Sequence, residues 1–189
     1  MTALLGADGV ARCTWGNSAP DYVEYHDKEW GVPLHGQDAL YERLCLESFQ
    51  SGLSWIVILR KREGFRRAFD GFRPEKVARF TDDDVERLLQ DASIVRNRAK
   101  IRAAITNARA IAELEMPLDK LLWSFAPAAE GRVRPATMAD VPAVTDESKA
   151  MAKDLKKRGF SFLGPTTCYA LMQATGMVDD HVQGCFRAS

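Results

Sequence analysis

The sequence predicts an all-α protein, and three observations support this class. Apolar residues recur every three or four positions through most of the chain, as in residues 38–49, which is the spacing of one helical face. Residues that begin and end helices separate these runs, for example Pro74 in a first turn and Gly159 after a last one. No run shows a convincing alternation of apolar and polar residues, the pattern of a half-buried strand.

Each expected helix begins at a proline or a capping side chain and ends at a glycine or where the apolar spacing stops. Residues 91–96 make a tight link between two of the helices, and residues 126–145 carry three prolines without a clear period, which predicts a surface connection. Asp146 is the expected cap of the helix that it begins. In chain order, the first four expected helices are a short helix from Pro20 that ends before Gly31, a helix over 38–49, a helix over about 54–69 and a short helix that begins at Pro74. The next are a helix from Thr81 to Leu89, a long helix that carries Ile101 to Ala112, a short helix that contains 121–125, a helix over 146–158 and a helix over 165–176.

Length and composition fit one globular domain over residues 1–189, either as a single body or as two helical lobes that share a cleft. The chain is 46% hydrophobic, which is enough to bury a substantial core. Lys plus Arg and Asp plus Glu number 26 each, so net charge alone does not indicate a polyanionic partner. There is no basic export signal and no segment near the roughly 20 apolar residues of a membrane helix, so we expect a cytoplasmic protein. Residues 1–12 are weakly patterned and predict a loosely ordered lead-in.

Glu47 is the most unusual residue of its helix, because it lies in an apolar run. A buried carboxylate is unfavourable unless a cation or a set of hydrogen-bond donors meets it. A ligand is one such partner, since an acid beside the ring of Trp55 suits a flat cationic guest. The alternative is an ion pair with Arg43, four residues earlier, with Trp55 in the core. On this stretch alone the ion pair is the preferred interpretation.

Two Cys/His pairs bracket the chain, Cys13 with His26 and His181 with Cys185. His181 and Cys185 share a face if their segment is helical, because they are four residues apart. Two thiolates and two imidazoles complete a tetrahedral zinc shell and leave no position for a water molecule, so such a site is structural. The alternative is that these residues are unrelated. The other two cysteines lie in apolar helical runs and are interpreted as core.

Several blocks of the sequence, in this order, resemble the 3-methyladenine DNA glycosylase I family of bacterial alkylation-repair enzymes. The resemblance extends from Cys13 to Cys185. Because many multi-residue blocks match together, it is more specific than any single motif. The blocks are Cys13-Thr-Trp15, Tyr25-His26-Asp-Lys-Glu-Trp30-Gly31-Val-Pro33, Leu46-Glu47, Gly52-Leu53-Ser54-Trp55, Trp123-Ser-Phe125, Lys157-Arg158-Gly159-Phe160 and Asp180-His181-Val182.

The resemblance implies a helix-hairpin-helix superfamily fold in which one zinc ion joins the N- and C-terminal segments. It also implies excision of N3-methyladenine from alkylated double-stranded DNA by hydrolysis of the N-glycosidic bond after base flipping. Glu47 falls on the family's base-recognising acid, and Tyr25 and Trp55 on its stacking aromatic residues, which we expect to sandwich the base. The two Cys/His pairs fall on its zinc ligands, Cys13, His26, His181 and Cys185.

The DNA face is assigned to two segments. Leu53, at the tip of the loop over residues 50–54, is the candidate wedge for the gap that the flipped base leaves, with core packing as the alternative. Ser93, Arg96 and Lys100 are the candidate phosphate contacts of the hairpin, and the basic residues 60–62 are a further positive cluster. Lys100 has simple solvation as its alternative.

Four positions depart from the family pattern. Ser93 and Ala99 stand where the family commonly has glycine, and Ser93 slightly weakens the assignment of the hairpin link to DNA contact without removing it. Ser48 and Phe49 replace residues that are commonly smaller or more polar, and we expect them to alter the cleft wall and base selectivity.

Two further residues bear on the reaction. Asn97 occupies the place of the lysine that forms a Schiff base in bifunctional relatives, so no strand-cleaving lyase activity is expected. Many superfamily members use an aspartate that follows the second hairpin helix. Asp119 is the nearest candidate for that position here and is interpreted as a helix cap. We expect a monomer that releases free 3-methyladenine. The alternatives are a zinc-stabilised helical DNA-binding module without activity and a zinc hydrolase, which would need an open metal position.

Overall fold

The computed structural model describes residues 2–128 and 132–188, and within them it is predominantly helical, which confirms the predicted class. Observed boundaries lie close to the predicted ones. The α-helices are α1 (Pro20–Lys28), α2 (Gln37–Gln50), α3 (Trp55–Ala68), α4 (Pro74–Val77), α5 (Asp82–Gln90), α6 (Arg98–Ala112), α7 (Leu118–Trp123), α8 (Asp146–Lys157) and α9 (Pro165–Ala174). Short 3-10 helices cover Thr14–Asn17, Asp70–Phe72 and Met138–Asp140.

Helix α2 is the central element. Every residue from Arg43 to Phe49 is buried, and the helix packs against α3, α6, α7 and α9. Apolar side chains on all these helices form one core, in which Leu44, Leu46 and Phe49 have no exposed surface. A polar residue on α2 is therefore surrounded by protein on most sides, and this position defines the environment of Glu47.

Helices α5 and α6 form a hairpin whose link is tightly packed. In the capping box of α5 the Asp84 carboxylate accepts from the Thr81 N–H at 2.9 Å, which confirms the predicted cap. The α5–α6 link lies against α3 at Gly64, where a Cβ atom would be only 2.5 Å from the Ser93 carbonyl oxygen. Glycine at this position is thus what allows α3 to approach the hairpin.

The N-terminal segment is more regular than the sequence indicates. Strands β1 (Leu4–Leu5) and β2 (Ala11–Arg12) pair antiparallel, and the Ala3 N–H donates to the Gln183 carbonyl. Arg12 is 3% exposed and donates two hydrogen bonds each to Asp8 and Asp27. An alternating pattern is too short to detect in strands of two residues, so the hairpin escapes a periodicity search.

Two further differences concern the second half of the chain. Helix α8 is capped by Thr145, whose hydroxyl accepts from the Ser148 N–H, rather than by Asp146. The predicted connection over residues 126–145 contains the short 3-10 helix, and its residues 129–131 lie outside the described part of the chain. Among the described residues, no helix is long and apolar enough to cross a membrane.

Candidate active site and metal cluster

A pocket with a volume of about 250 Å³ opens between α1, α2, α3 and α9. Its wall is mostly aromatic, and among the described residues that line it the acidic one is Glu47 on α2. The aromatic wall consists of Trp15, Tyr22, Tyr25, Trp30 and Trp55. A cavity of this shape suits a small planar guest, and a carboxylate at its edge favours a guest that carries positive charge or hydrogen-bond donors.

The carboxylate of Glu47 is buried without a protein partner among the described residues. Glu47 is 5% exposed, and burial raises its pKa to about 7 despite the nearby positive charge of Arg43. The alternative ion pair with Arg43 is not formed. Arg43 instead donates to the Tyr25 hydroxyl oxygen at 2.8 Å and to Glu29 at 3.1 Å. A helix-edge salt bridge therefore does not explain why Glu47 is acidic.

Glu29 holds two arginines beneath the pocket. Besides Arg43, it accepts two hydrogen bonds from Arg62 on α3. The guanidinium of Arg43 also lies 5.3 Å from the ring centre of Tyr25 and 5.6 Å from that of Trp55. Arg43 thus contacts both aromatic rings without lining the pocket, so it positions the rings.

The rings of Tyr25 and Trp55 contact each other directly. Their centres are 5.3 Å apart with an angle of 44° between the planes. A base stacked between two rings needs them roughly 7 Å apart, because each contact is about 3.5 Å. The expected sandwich therefore does not fit this arrangement, and a planar guest would lie against the aromatic wall rather than between these two rings. The indole N–H of Trp55 has no hydrogen-bond partner in the part of the chain that the structure describes.

Cys13, His26 and Cys185 meet although they come from opposite ends of the chain. Their candidate ligand atoms all lie within 4.8 Å of one another, and all three residues are buried. The Nδ1 atom of His26 bonds to Asp27 at 2.9 Å, which leaves Nε2 directed at the Cys185 sulfur, 3.5 Å away. Carboxylates that hold the outer nitrogen of a histidine are typical of metal ligands. Burial also lowers the pKa of His26, which favours the neutral imidazole that binds metals.

His181 lies beside this cluster in a similar arrangement. Its Nδ1 atom bonds to Asp179 at 2.8 Å, its ring centre is 5.0 Å from that of His26, and its buried Nε2 atom has no partner. Gly31, with φ +76°, allows close backbone approach, because a Cβ there would be 2.7 Å from the His181 ring. An unpartnered, oriented imidazole nitrogen next to two thiols and a second imidazole fits a tetrahedral metal site. The three-residue cluster is thus a possible metal-binding group, and the predicted fourth residue is adjacent.

The structure gives different surroundings to the predicted DNA contacts. Leu53 is 41% exposed at the tip of the loop between α2 and α3, as expected for a wedge. Arg96 is exposed and has no hydrogen bond or ion pair to the described residues. The hydroxyl and backbone N–H of Ser93 both donate to Asp91, at 2.6 and 2.8 Å. The Ser93 N–H is therefore already used within the link.

The assignment of Lys100 to phosphate binding is wrong for this arrangement. Lys100 is 7% exposed, and its ammonium group donates to the carbonyls of Phe49, at 2.9 Å, and Ser51. It joins α6 to the C-terminal end of α2, where a cation is favourable. Of the basic residues 60–62, Arg62 is occupied by Glu29 and Lys61 donates to the Ala92 carbonyl of the link. Helical spacing does not show which basic side chains meet buried carbonyls or acids.

The residues that depart from the family pattern, and the remaining residues with predicted roles, lie outside the pocket wall. Ser48 and Phe49 are buried and do not line the pocket, and Phe49 packs against Phe65, so any effect of theirs on the cleft wall would be indirect. The carbonyl of the Asn97 side chain accepts from the Lys100 N–H and caps α6. Asp119 does not cap its own helix, because it accepts from the Gly36 N–H and contacts His35 at 3.0 Å. Ala99 is exposed.

Sequence reasoning missed part of the pocket wall. Trp15, Tyr22 and Trp30 lie in a conspicuously aromatic segment, which was a usable signal. Gln173 on α9 also lines the pocket, and its amide donates to the buried Asp180 at 2.9 Å. Nothing in the local sequence distinguishes this glutamine, because its role depends on how α9 packs against α2.

Comparisons with known proteins agree with this arrangement. The model of the methyladenine glycosylase family matches residues 15–188. The chain is 49% identical to DNA-3-methyladenine glycosylase 1 of Escherichia coli (strain K12), over 93% of this chain and 96% of that protein. It is also similar to a crystal structure of 3-methyladenine DNA glycosylase I, with TM-score 0.88, 46% identity and coverage of 93% of this chain and 98% of the other. A Staphylococcus aureus structure described for 3-methyladenine recognition gives TM-score 0.85 and 38% identity over 92% and 94% of the two chains. This chain therefore belongs to the methyladenine glycosylase family.

Proposed function

We propose that the protein removes 3-methyladenine from alkylated DNA in base-excision repair, by hydrolysing the N-glycosidic bond and releasing the free base. The observation that carries this proposal is the buried, unpartnered carboxylate of Glu47 at the edge of an aromatic pocket. Burying a neutral or ion-paired side chain at this position would cost less free energy than burying an unpaired carboxylate. The family membership and the names of the relatives agree with the substrate class.

The chemistry requires little from the protein beyond selection and positioning. N3-methylation makes the nucleoside cationic, so the base is already an activated leaving group while it is bonded to the sugar. The target must be flipped out of the duplex to reach the pocket, and a damaged, poorly paired base requires the least energy for this step. In the pocket Glu47 accepts from the adenine edge and balances its charge, while Tyr25 and Trp55 contact its face. Neutral adenine lacks the charge that Glu47 would recognise.

A zinc ion held by Cys13, His26, His181 and Cys185 is the proposed metal of the cluster. It would supply a structural link and no reactive water, because four protein ligands would leave no position for a water molecule. The two aspartates, Asp27 and Asp179, hold the histidines with one nitrogen directed inward. The metal would join the chain ends next to the aromatic wall, since Trp15 and Trp30 of that wall contact His26.

The DNA face includes the α5–α6 hairpin, as in a helix-hairpin-helix protein, and the loop that carries Leu53. Arg96 provides a free positive charge for phosphate, and Ser93 shapes the turn through Asp91. Leu53 fills the gap left by the flipped base. Because Asn97 is a helix cap and offers no amine, the enzyme is monofunctional and lacks lyase activity. We propose that it acts as a cytoplasmic monomer on double-stranded DNA.

The decisive experiment measures free 3-methyladenine released from methylated duplex DNA, with Glu47→Gln and the exposed control Glu113→Gln beside the unaltered protein. Release by the unaltered protein and the control, with strong loss in Glu47→Gln, is the expected result. DNA binding without release of any base would support the alternative of a DNA-binding module and contradict the proposal. Strand scission at the resulting abasic sites would contradict the monofunctional assignment.

A further inference from the structure

Gln173 reaches the pocket from α9 while its amide is held from behind. The Nε2 atom donates to Asp180 at 2.9 Å, and Asp180 is 2% exposed. The same Asp180 oxygen accepts from the Tyr169 hydroxyl at 2.7 Å, and the other oxygen accepts from Arg132 at 2.7 Å. Asp180 is thus a buried acceptor with three donors around it.

This network determines which way the amide of Gln173 points. A glutamine amide has a donating nitrogen and an accepting oxygen, which can exchange places by rotation. A carboxylate that receives hydrogen bonds from an arginine and a tyrosine can only accept, so it selects the nitrogen. The Gln173 Oε1 atom is therefore turned away from Asp180, and it has no hydrogen bond to the described residues. Because Gln173 also forms part of the pocket wall, this oxygen is an available acceptor there.

We propose that Gln173 is a second base-reading residue, which accepts a hydrogen bond from the exocyclic 6-amino group of the bound purine. The inference rests on the proposed function and names a specificity residue within it. The 6-amino group has two N–H bonds, so the carboxylate of Glu47 and the carbonyl of Gln173 can each receive one. Both acceptors also favour a positively charged base, because Glu47 presents a negative charge to it and the Gln173 carbonyl presents the negative end of a dipole.

The arrangement discriminates by the group at position 6. A 6-oxo purine places a carbonyl oxygen where the amino group of adenine lies, so it would face two acceptors and lose both hydrogen bonds. A buried acceptor without a donor is more unfavourable than a missing contact, which makes this kind of discrimination effective. Glu47 alone favours any base that is positively charged or that offers hydrogen-bond donors. Gln173 adds a neutral acceptor whose orientation depends on Asp180.

The test compares binding of 3-methyladenine and 3-methylhypoxanthine, which differ in carrying an amino or an oxo group at position 6. Gln173→Met keeps the side-chain length and removes the acceptor, and Gln173→Leu repeats the test if the methionine variant does not fold. We expect about a tenfold loss of 3-methyladenine affinity and a similar reduction in the preference over the oxo base. The remaining preference for 3-methyladenine over 3-methylhypoxanthine should come from the Glu47 carboxylate, which still accepts from the amino group.

Two further variants separate recognition from structure. Gln37→Met makes the same change at an exposed position outside the pocket and should leave the preference unchanged. Asp180→Asn replaces the carboxylate with an amide that can also donate, so the Gln173 amide is no longer held in one orientation and the preference should fall although Gln173 is unaltered. Equal losses for the two bases in Gln173→Met, or no loss, would overturn the inference while base release by the unaltered protein still supported the proposed function. An unaltered protein that binds neither base and releases none would overturn both.

Discussion

The metal cluster and the pocket are neighbouring regions, and each contains a buried polar group without a partner among the described residues. The group is the Nε2 atom of His181 in the cluster and the carboxylate of Glu47 in the pocket, and the two regions differ in how their polar atoms converge. In the cluster, ligand atoms of Cys13, His26 and Cys185 lie within 4.8 Å of one another, and a carboxylate holds each histidine from outside. In the pocket, the Glu47 carboxylate faces a space of about 250 Å³. A single ion can satisfy the first arrangement. The second requires a molecule of the size of a base.

The metal cluster and the pocket should have opposite effects on the stability of the folded chain. A metal that binds the folded chain and not the unfolded one adds its binding free energy to folding. An unpaired buried carboxylate that waits for a ligand destabilises the folded chain while the pocket is empty. The metal-bound cluster should therefore stabilise the folded protein and restrict its chain ends. The empty pocket should lower the stability, because it keeps the carboxylate that recognises the base unpaired. Substitutions in the two regions should accordingly change stability in opposite directions.

The largest effect is expected for Cys185→Ala, which removes one proposed ligand. We expect an unfolding free energy lower by on the order of 3–5 kcal/mol, because the metal and its link between the chain ends are lost together. Denaturant titration and elemental analysis of the purified variant measure both quantities. Cys168→Ala is the control, since Cys168 is equally buried but belongs to the apolar core.

The control should retain stoichiometric zinc and lose less stability. Base release per folded molecule should change much less in Cys185→Ala than stability does. Absence of zinc from the unaltered protein would remove the metal from the comparison, and a large loss of rate at unchanged melting temperature would assign the cluster to catalysis instead.

The next effect concerns the cost of Glu47 in the empty pocket. Its pKa is raised from 4.5 to about 7, so the folded chain binds this proton more tightly than the unfolded chain does. Below about pH 4.5 both states are protonated and there is no penalty, whereas the penalty grows as pH rises and is complete above pH 7. Glu47→Gln should therefore increase the unfolding free energy by up to ~3 kcal/mol at pH 8, and by almost nothing near pH 4. Chemical denaturation at the two pH values measures the difference.

The same variant should have the opposite effect on recognition. Glu47→Gln removes the charge and keeps the size, so we expect a loss of about 1.5–3 kcal/mol, or roughly ten- to a hundredfold, in 3-methyladenine release or binding. In the unaltered protein, binding of a cationic base should weaken as pH falls through about 7, where Glu47 becomes protonated. The variant should lose this pH dependence. Equal base affinity for both proteins at matched circular dichroism would contradict the assignment of Glu47.

Much of the fold was predictable because its signals are local. The helix boundaries follow from residues such as Pro74, Thr81 and Gly159, whose capping and turn preferences act over a few positions. The role proposed for Glu47 came from the family resemblance, because the stretch alone favoured an ion pair with Arg43. The resemblance to a known family supplied the pairing of the chain ends, which spacing alone left open.

The partners of charged residues were not predictable in the same way. Lys100 and Arg96 look alike in the sequence, but one meets two backbone carbonyls and the other meets solvent. Arg43 has Glu47 one helical turn away and contacts Glu29 and Tyr25 instead. These choices depend on long-range packing of α1, α3 and α6 around α2, which has no local signal.

The smallest expected effect separates Arg96 from Lys100. Arg96→Ala removes an exposed charge that has no partner among the described residues, so it should weaken binding to undamaged DNA about equally for all sequences and reduce the salt slope by about 1. Lys100→Ala instead leaves the Phe49 and Ser51 carbonyls without their donor, so it should lower the unfolding free energy by about 1–2 kcal/mol and leave the salt slope nearly unchanged. Binding titrations between 50 and 200 mM salt, roughly the range over which phosphate contacts are resolved, and parallel denaturation measure the two effects. A reduced slope in the Lys100 variant at full stability would mean that its ammonium leaves α2 to contact phosphate, and an unchanged slope in the Arg96 variant would place the DNA face elsewhere than on this hairpin.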